Sequence, residues 1–164
     1  LTLGTFVYII GGISGAHINP AVTLALFSIG KIKKNDAVLY IVAQIVGALV
    51  AMALGQTVTG GDTGIVGGDT SYDILGEVIG AAMLLLGISA VVAERTPKDA
   101  AGLTIGVSLL LGILVASGIG SAGVLNPAVA LGIGARSLSY LLAPIAGAVA
   151  GVWLYRSLLG EGIR

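Results

Sequence analysis

The stretch His17-Ile18-Asn19-Pro20-Ala21-Val22 returns 107 residues later as Leu125-Asn126-Pro127-Ala128-Val129, and this duplication constrains the fold more than any other feature. Asn before Pro is a helix start, because Asn caps the first turn and Pro lacks an N–H that would have no partner there. Both copies lie between long apolar runs. A helix that begins inside such a run leaves its first backbone N–H groups unpaired. At membrane depth this is tolerated only where the turn is buried in protein or lines water. The spacing therefore predicts two short helices that enter one membrane from opposite sides and meet at their N-terminal tips.

Composition supports a membrane setting. Hydrophobic residues make up 56% and charged residues 10%, against about 25% charge in soluble domains. The chain has 27 Gly but only one Trp, five Tyr and two Phe, which suits helices packed through small residues in lipid. Net charge is zero, so nothing points to nucleic acid. The absence of Cys excludes disulfides and thiolate chemistry.

Residues 1–12 are apolar but too short to cross a bilayer alone, which takes about 20 helical residues. Residues 13–17 are a Gly-rich turn, and a short helix follows from Asn19 to about position 29. Asn35 or Asp36 is expected to cap a spanning helix over 37–58. The connecting loop is 59–71; its acidic spacing does not fit a calcium loop. Spans over 72–93 and 100–117 flank a charged turn, and 118–125 is Gly-rich again. The second short helix is expected over 126–135, the last span over 138–159, and a tail over 160–164.

A second match makes the repeat firm. Tyr40, Ala43, Ile45, Gly47 and Ala48 recur as Tyr140, Ala143, Ile145, Gly147 and Ala148, five identities in nine positions. We read one membrane domain, 1–164, of two units: a first repeat over 1–58 and a second over 72–159. The span over 72–93 leads into the second unit, and its counterpart is expected before Leu1. Lys31, Lys33, Lys34, Arg95, Lys98, Arg156 and Arg164 fall on one side of this topology and Arg136 alone on the other. That bias puts the Lys31–Lys34 loop and the C-terminus in the cytoplasm, and a prokaryotic plasma membrane is the expected location. The units then have opposite orientation, an inverted repeat that places a site at the midplane.

Two helix N-termini meeting there each carry about half a positive charge, which repels cations and protons moving along a water chain. The Asn19 and Asn126 amides supply donors. Carbonyls of the turns at Gly15, Ala16, His17 and Ile18, and at Gly123, Val124 and Leu125, supply acceptors.

Ser14-Gly15-Ala16-His17-Ile18-Asn19-Pro20-Ala21-Val22-Thr23 resembles the first signature loop of the aquaporin, or major intrinsic protein, family, and the segment around Asn126-Pro127-Ala128 resembles the second. The resemblance covers nearly the whole chain, from the second family helix to the sixth. It implies an all-α fold of six spans and two re-entrant half-helices. It also implies homotetramers with a pore in each subunit, passive flow of water or small neutral solutes, and no cofactor. It makes Glu77, early in its span, a buried carboxylate accepting bonds from the second loop; a helix end at the headgroups is the plain alternative.

One departure matters. The family usually has Arg directly after the second Asn-Pro-Ala, and here Val129 stands there. The other readable filter positions are Gly123 and one of Gly112, Ile113 or Leu114, with Ile113 central. A small or apolar, uncharged outer mouth is expected. Arg136, seven residues after Val129 on the same helical face and about 10 Å further out, is read as an interface anchor, with a charge at the mouth as the alternative. A lone His17 without clustered partners is no metal site. A secondary transporter with broken helices, and a fragment that does not conduct, stay open as alternatives. No catalytic set supports an enzyme.

Overall fold

The computed structural model describes residues 1–61 and 68–159, and among these there is no strand. Residues 62–67 of the connecting loop and the tail 160–164, including Arg164, lie outside the described residues. The elements are α1 (Thr2–Ser14), α2 (Pro20–Ser28), α3 (Lys34–Thr59), α4 (Ser71–Val92), a 3-10 turn (Lys98–Ala100), α5 (Ala101–Ile119), α6 (Pro127–Gly132) and α7 (Leu138–Leu159). Of these, α3, α4, α5 with its leading turn, and α7 are each long and apolar enough to cross a membrane. The chain is an all-α, multi-pass integral membrane protein.

Two expected boundaries are corrected. Helix α3 starts at Lys34 behind a Lys33 N-cap that makes no side-chain bond, and neither Asn35 nor Asp36 is the cap. Asp36 instead sits inside the first turn, where its charge meets the positive end of the helix. Helix α6 stops at Gly132 rather than near 135, with Gly134 at φ 80° closing the turn. Arg136 is therefore not on a continuation of the Val129 helix; its Nη2 lies 3.7 Å from Met52 Sδ on α3.

Small residues let the backbones meet. A Cβ added at Gly151 would stand 2.6 Å from the Ala82 carbonyl oxygen, fixing α7 against α4. At the crossing of α4 and α5, a Cβ at Gly80 would stand 2.7 Å from the Gly112 oxygen, and one at Gly112 2.5 Å from the Gly80 oxygen. Helix α1 lies on α5, where Tyr8 Oη donates to the Asp99 carbonyl at 2.9 Å and accepts from Leu103 N–H at 3.0 Å. The core gathers Ala21, Val22, Ala25 and Leu26 of α2 against Leu84, Leu85 and Ile88 of α4 and Val152 of α7.

Among the described residues Lys31, Lys33, Lys34, Arg95, Lys98 and Arg156 lie towards one end of the bundle, and Arg136 towards the other. Arg95 Nη2 donates to the Leu159 carbonyl at 3.0 Å, joining the end of α4 to the end of α7. Trp153 Nε1 donates to Ser28 Oγ at 3.1 Å beside the lysine run, and the Arg156 guanidinium lies 5.0 Å over the Trp153 ring. The opposite end holds the starts of α4 and α7. There Thr70 and Asp73 form a reciprocal cap, and Asp69 accepts from Ser139 N–H at 2.9 Å and Ser139 Oγ at 2.7 Å.

The Ser139 hydroxyl and N–H hold the Asp69 carboxyl below its ordinary value of 3.8. A carboxylate held low when folded stabilises above that value, and the contribution is lost as pH falls through the folded pKa. Asp69→Ala is expected to lower the melting temperature slightly at neutral pH, the site being exposed. The difference from the parent should close in a thermal scan only as pH falls below 3.8, through the lowered folded pKa.

Units α1–α2–α3 and α5–α6–α7 follow the same plan. Among the described residues, nothing in the first unit corresponds to α4.

Candidate functional site

The two Asn-Pro segments fold by the same local rules. In each, a serine five residues before the Asn accepts from the backbone two residues on: Ser14 Oγ from Ala16 N–H at 3.3 Å, Ser121 Oγ from Gly123 N–H at 3.2 Å. Ala16 and Gly123 then take the left-handed conformation, at φ 47° and 66°. So do the residues directly before each Asn, Ile18 at 47° and Leu125 at 54°. That region costs an L residue about 1–2 kcal/mol, and a β-branched residue such as Ile18 is rarely found there.

What the strained residues gain is the direction of their carbonyls. Asn19 Nδ2 donates to the Leu125 carbonyl at 2.9 Å, and Asn126 Nδ2 donates to the Ile18 carbonyl at 3.0 Å. Each loop thus receives the amide of the other. Each Asn also caps its own helix: Asn19 Oδ1 accepts from Ala21 N–H at 2.8 Å, and Asn126 Oδ1 from Ala128 N–H at 3.0 Å. Sequence reasoning expected both amides to present their donors to a passing molecule. One N–H of each is committed across the junction, so one per Asn remains.

The two loops are supported differently. Glu77 of α4, fully buried, holds the second. Its Oε1 accepts from Ser121 Oγ and Val124 N–H, both at 2.8 Å, and its Oε2 accepts from Leu125 N–H at 2.6 Å. Tyr140 Oη accepts from Ala122 N–H at 3.3 Å and donates to Asp73. Among the described residues no carboxylate faces the matching His17 and Ile18 N–H groups. That loop leans instead on Thr23, whose hydroxyl meets His17, Gln44 and the Asn19 carbonyl.

A cavity of about 1250 Å³ runs past this junction. It is lined by the turn residues Gly15, Ala16, His17, Ile18, Gly123 and Val124, and by both Asn residues. Ile113, Gly123 and Val129 also line it; a Cβ at Gly123 would lie 3.1 Å from the Ile113 carbonyl, so those two are in contact. Leu125 is placed otherwise. Its side chain is fully buried, wedged where Gly80 and Gly112 cross, and only its carbonyl reaches the junction. Pro20, Ala21, Pro127 and Ala128 are buried in the first turns of their helices.

Sequence reasoning missed the apolar wall. Ala101, Ile105, Leu109 and Ile113 of α5 recur every four residues along the cavity, and Leu84 and Ile88 of α4 face it with Val22 and Leu26. The four-residue period was the available signal. The halves also differ in cover. Val22 is 3% exposed and its counterpart Val129 44%; Leu125 is 0% exposed and its counterpart Ile18 40%. Helix α4 covers the first of each pair, and no described residue does so for the second.

A family model described as Major intrinsic protein matches residues 1–155. The chain is 39% identical to "Probable aquaporin AqpM" of Archaeoglobus fulgidus, with 98% of this chain and 74% of that protein covered. It is 33% identical to "Aquaporin NIP1-1" of Arabidopsis thaliana, over 96% of this chain and 60% of that protein. It is 36% identical to "Glycerol uptake facilitator protein-like 6" of Lactiplantibacillus plantarum, over 98% of this chain and 82% of that protein. The chain thus spans about three fifths of the plant relative and three quarters of the archaeal one. With the family model covering nearly its whole length, the chain belongs to the major intrinsic protein family.

Proposed function

We propose that this protein is a passive transmembrane channel for water and small neutral solutes. The observation that carries the reading is the pair of opposed helix tips whose Asn amides bond across to each other's loops beside a continuous cavity. Family members are channels rather than enzymes, and relatives named for water and for glycerol uptake support the same class of permeant. Two positive helix ends at one constriction repel cations without any charged side chain. The remaining N–H of each Asn orients a water by donating to its oxygen, so the water's hydrogens turn away from the constriction and the proton relay is broken there. Among the described residues the buried carboxylates near the loops are Glu77, both of whose oxygens are occupied by loop donors, and Asp73, which is bonded to Thr70 and Tyr140, and this disfavours an ion-coupled transporter.

We infer that the Lys31–Lys34 loop faces the cytoplasm, a reading the excess of basic residues at that end supports, and that the membrane is a prokaryotic plasma membrane. The assembly is proposed to be a homotetramer, in keeping with the broad apolar surface of α3, where only Ala37 is buried. The exposed faces of α1, α3 and Val129 suit a further apolar helix, related to α1 and α3 as α4 is to α5 and α7.

Stopped-flow shrinkage of proteoliposomes holding the full-length protein tests the reading. Water permeability well above empty vesicles is expected; folded protein that conducts no faster than lipid overturns it. Val129 makes the outer mouth apolar, so glycerol and urea should pass as well. Val129→Arg would add a hydrogen-bonding cation and narrow the opening. Glycerol and urea flux is expected to fall about tenfold relative to water, a barrier change of about 1.4 kcal/mol. Unchanged solute flux would remove Val129 from the filter.

A further inference from the structure

At the basic end of the bundle, three side chains join the end of α2 to the last two turns of α7. Ser28 Oγ gives its hydrogen to the Ala25 carbonyl at 2.7 Å. A lone pair is therefore left for the Trp153 indole N–H, which donates to it at 3.1 Å. That bond pins the ring, which stays exposed on the outside of the bundle. The Arg156 guanidinium lies over the pinned ring, 5.0 Å from its centroid. Stacking on an indole fixes the plane of the fork and leaves its N–H edge open. Among the described residues that edge has no hydrogen-bond acceptor and no carboxylate partner.

The place matters as much as the geometry. Ser28, Trp153 and Arg156 all lie outside the cavity wall. Trp settles at the headgroup level of a bilayer, which puts the guanidinium at the depth of lipid phosphates. Phe27 beside Ser28 and Leu154 beside Trp153 are exposed as well, an apolar shelf for an acyl chain. Against the six basic residues described at this end stand Asp36, Glu94 and Asp99. The other end has no such cluster: the repeat matches Ser28, Trp153 and Arg156 with Ala135, Ala53 and Gln56.

We infer that Arg156, held over Trp153 by the bond to Ser28, binds the phosphate of an anionic phospholipid headgroup on the outer surface of α2 and α7. Two phosphate oxygens match the guanidinium fork. The apolar shelf commits the ligand to a lipid rather than to a free phosphate. The excess of positive charge at this end favours a headgroup of net negative charge over a zwitterion. Naming the leaflet rests on the orientation proposed above; the site itself does not.

Trp153 is the only Trp of the chain, so its fluorescence reports what lies against it. In the full-length protein, subtracting the signal of Trp153→Phe isolates this ring. The protein is reconstituted in phosphatidylcholine vesicles with a minor fraction of phosphatidylglycerol, and one lipid or the other carries bromine on its acyl chains as a quencher. Brominated phosphatidylglycerol is expected to quench about fivefold more per lipid than brominated phosphatidylcholine, the worth of one basic group at an anionic surface. Equal quenching by the two lipids overturns the inference. Arg156→Gln should bring them level, and a preference kept at the parent's value overturns it too. Arg156→Lys keeps the charge without the fork and should retain only part of the preference. Full retention in that variant would reduce the effect to diffuse surface charge and deny the stacked site. Inorganic phosphate added to the parent should leave the preference unchanged; its loss would assign the site to a soluble anion instead. Water flux should be the parent's in the Gln and Lys variants, so failure of this site and failure of the channel reading are told apart.

Discussion

Replacing Glu77 by Ala is expected to abolish conduction and to leave most of the protein unable to reach a stable fold in lipid or detergent. The carboxylate accepts three bonds, from Ser121 Oγ, Val124 N–H and Leu125 N–H, in a fully buried position. Each donor left without a partner costs about 1–3 kcal/mol, and two of the three are backbone groups that cannot turn elsewhere. The loss therefore rivals the whole stability of a typical domain, about 5–15 kcal/mol. It would also free the segment that presents the Leu125 carbonyl to Asn19. Glu77→Gln keeps one acceptor oxygen but turns an NH₂ towards N–H groups, and an intermediate loss is expected. Size-exclusion profile and proteoliposome water flux check both variants. Glu77→Ala that elutes as a single folded species with parental flux would show that the loop holds its shape without the carboxylate.

Replacing Gly147 by Val is the second change expected to be severe, and it touches no cavity residue. A single Cβ there would meet Val78 of α4 with its carbonyl in contact and its Cα at 2.7 Å. Backbone atoms cannot rotate aside, so the helices must separate. Separation loosens Gly151 against Ala82 and Tyr140 against Asp73 on the same seam. Overpacking a close-packed interior costs about 1–3 kcal/mol, and more when backbone must shift. Gly147→Ala should lower the melting temperature clearly and Gly147→Val further, with Gly118→Ala as the control. Equal melting temperatures for the Ala variants at 118 and 147 would deny the close crossing. A Cβ at Gly118 meets nothing within 4 Å, and neither does one at Gly47, the sequence counterpart of Gly147.

That pair also marks how far sequence reading reached. The repeat pairs Gly47 with Gly147, yet only the second is at a helix crossing, because α4 lies on the second unit alone. Which of two identical residues is critical depends on a neighbour the local pattern does not name. The short helices and α7 were legible from Asn-Pro starts and the length of the apolar run. The start of α3 was not, since Lys33 to Asp36 are all polar and the capping preference of Asn35 and Asp36 gave way to an earlier start. The cross-bonds between Asn19 and Leu125, and between Asn126 and Ile18, have no local signature at all. The matched serines do: Ser14 and Ser121 share the offset of the Asn residues, and extending the alignment five positions upstream would have found them.

The reciprocal amide bonds also carry a consequence for assembly in time. Asn19 needs a carbonyl 106 residues further along, so the first loop cannot complete its bonding while only the first unit has been made. At synthesis rates of about 5–20 residues per second, the wait is on the order of ten seconds. During that interval Ile18 has no reason to hold its left-handed conformation, because its carbonyl has no amide to receive. The re-entrant segment should therefore remain near the aqueous interface and enter with its counterpart, as the last step of insertion. The two halves of the channel then lock together at a single moment, and neither is a finished unit before it.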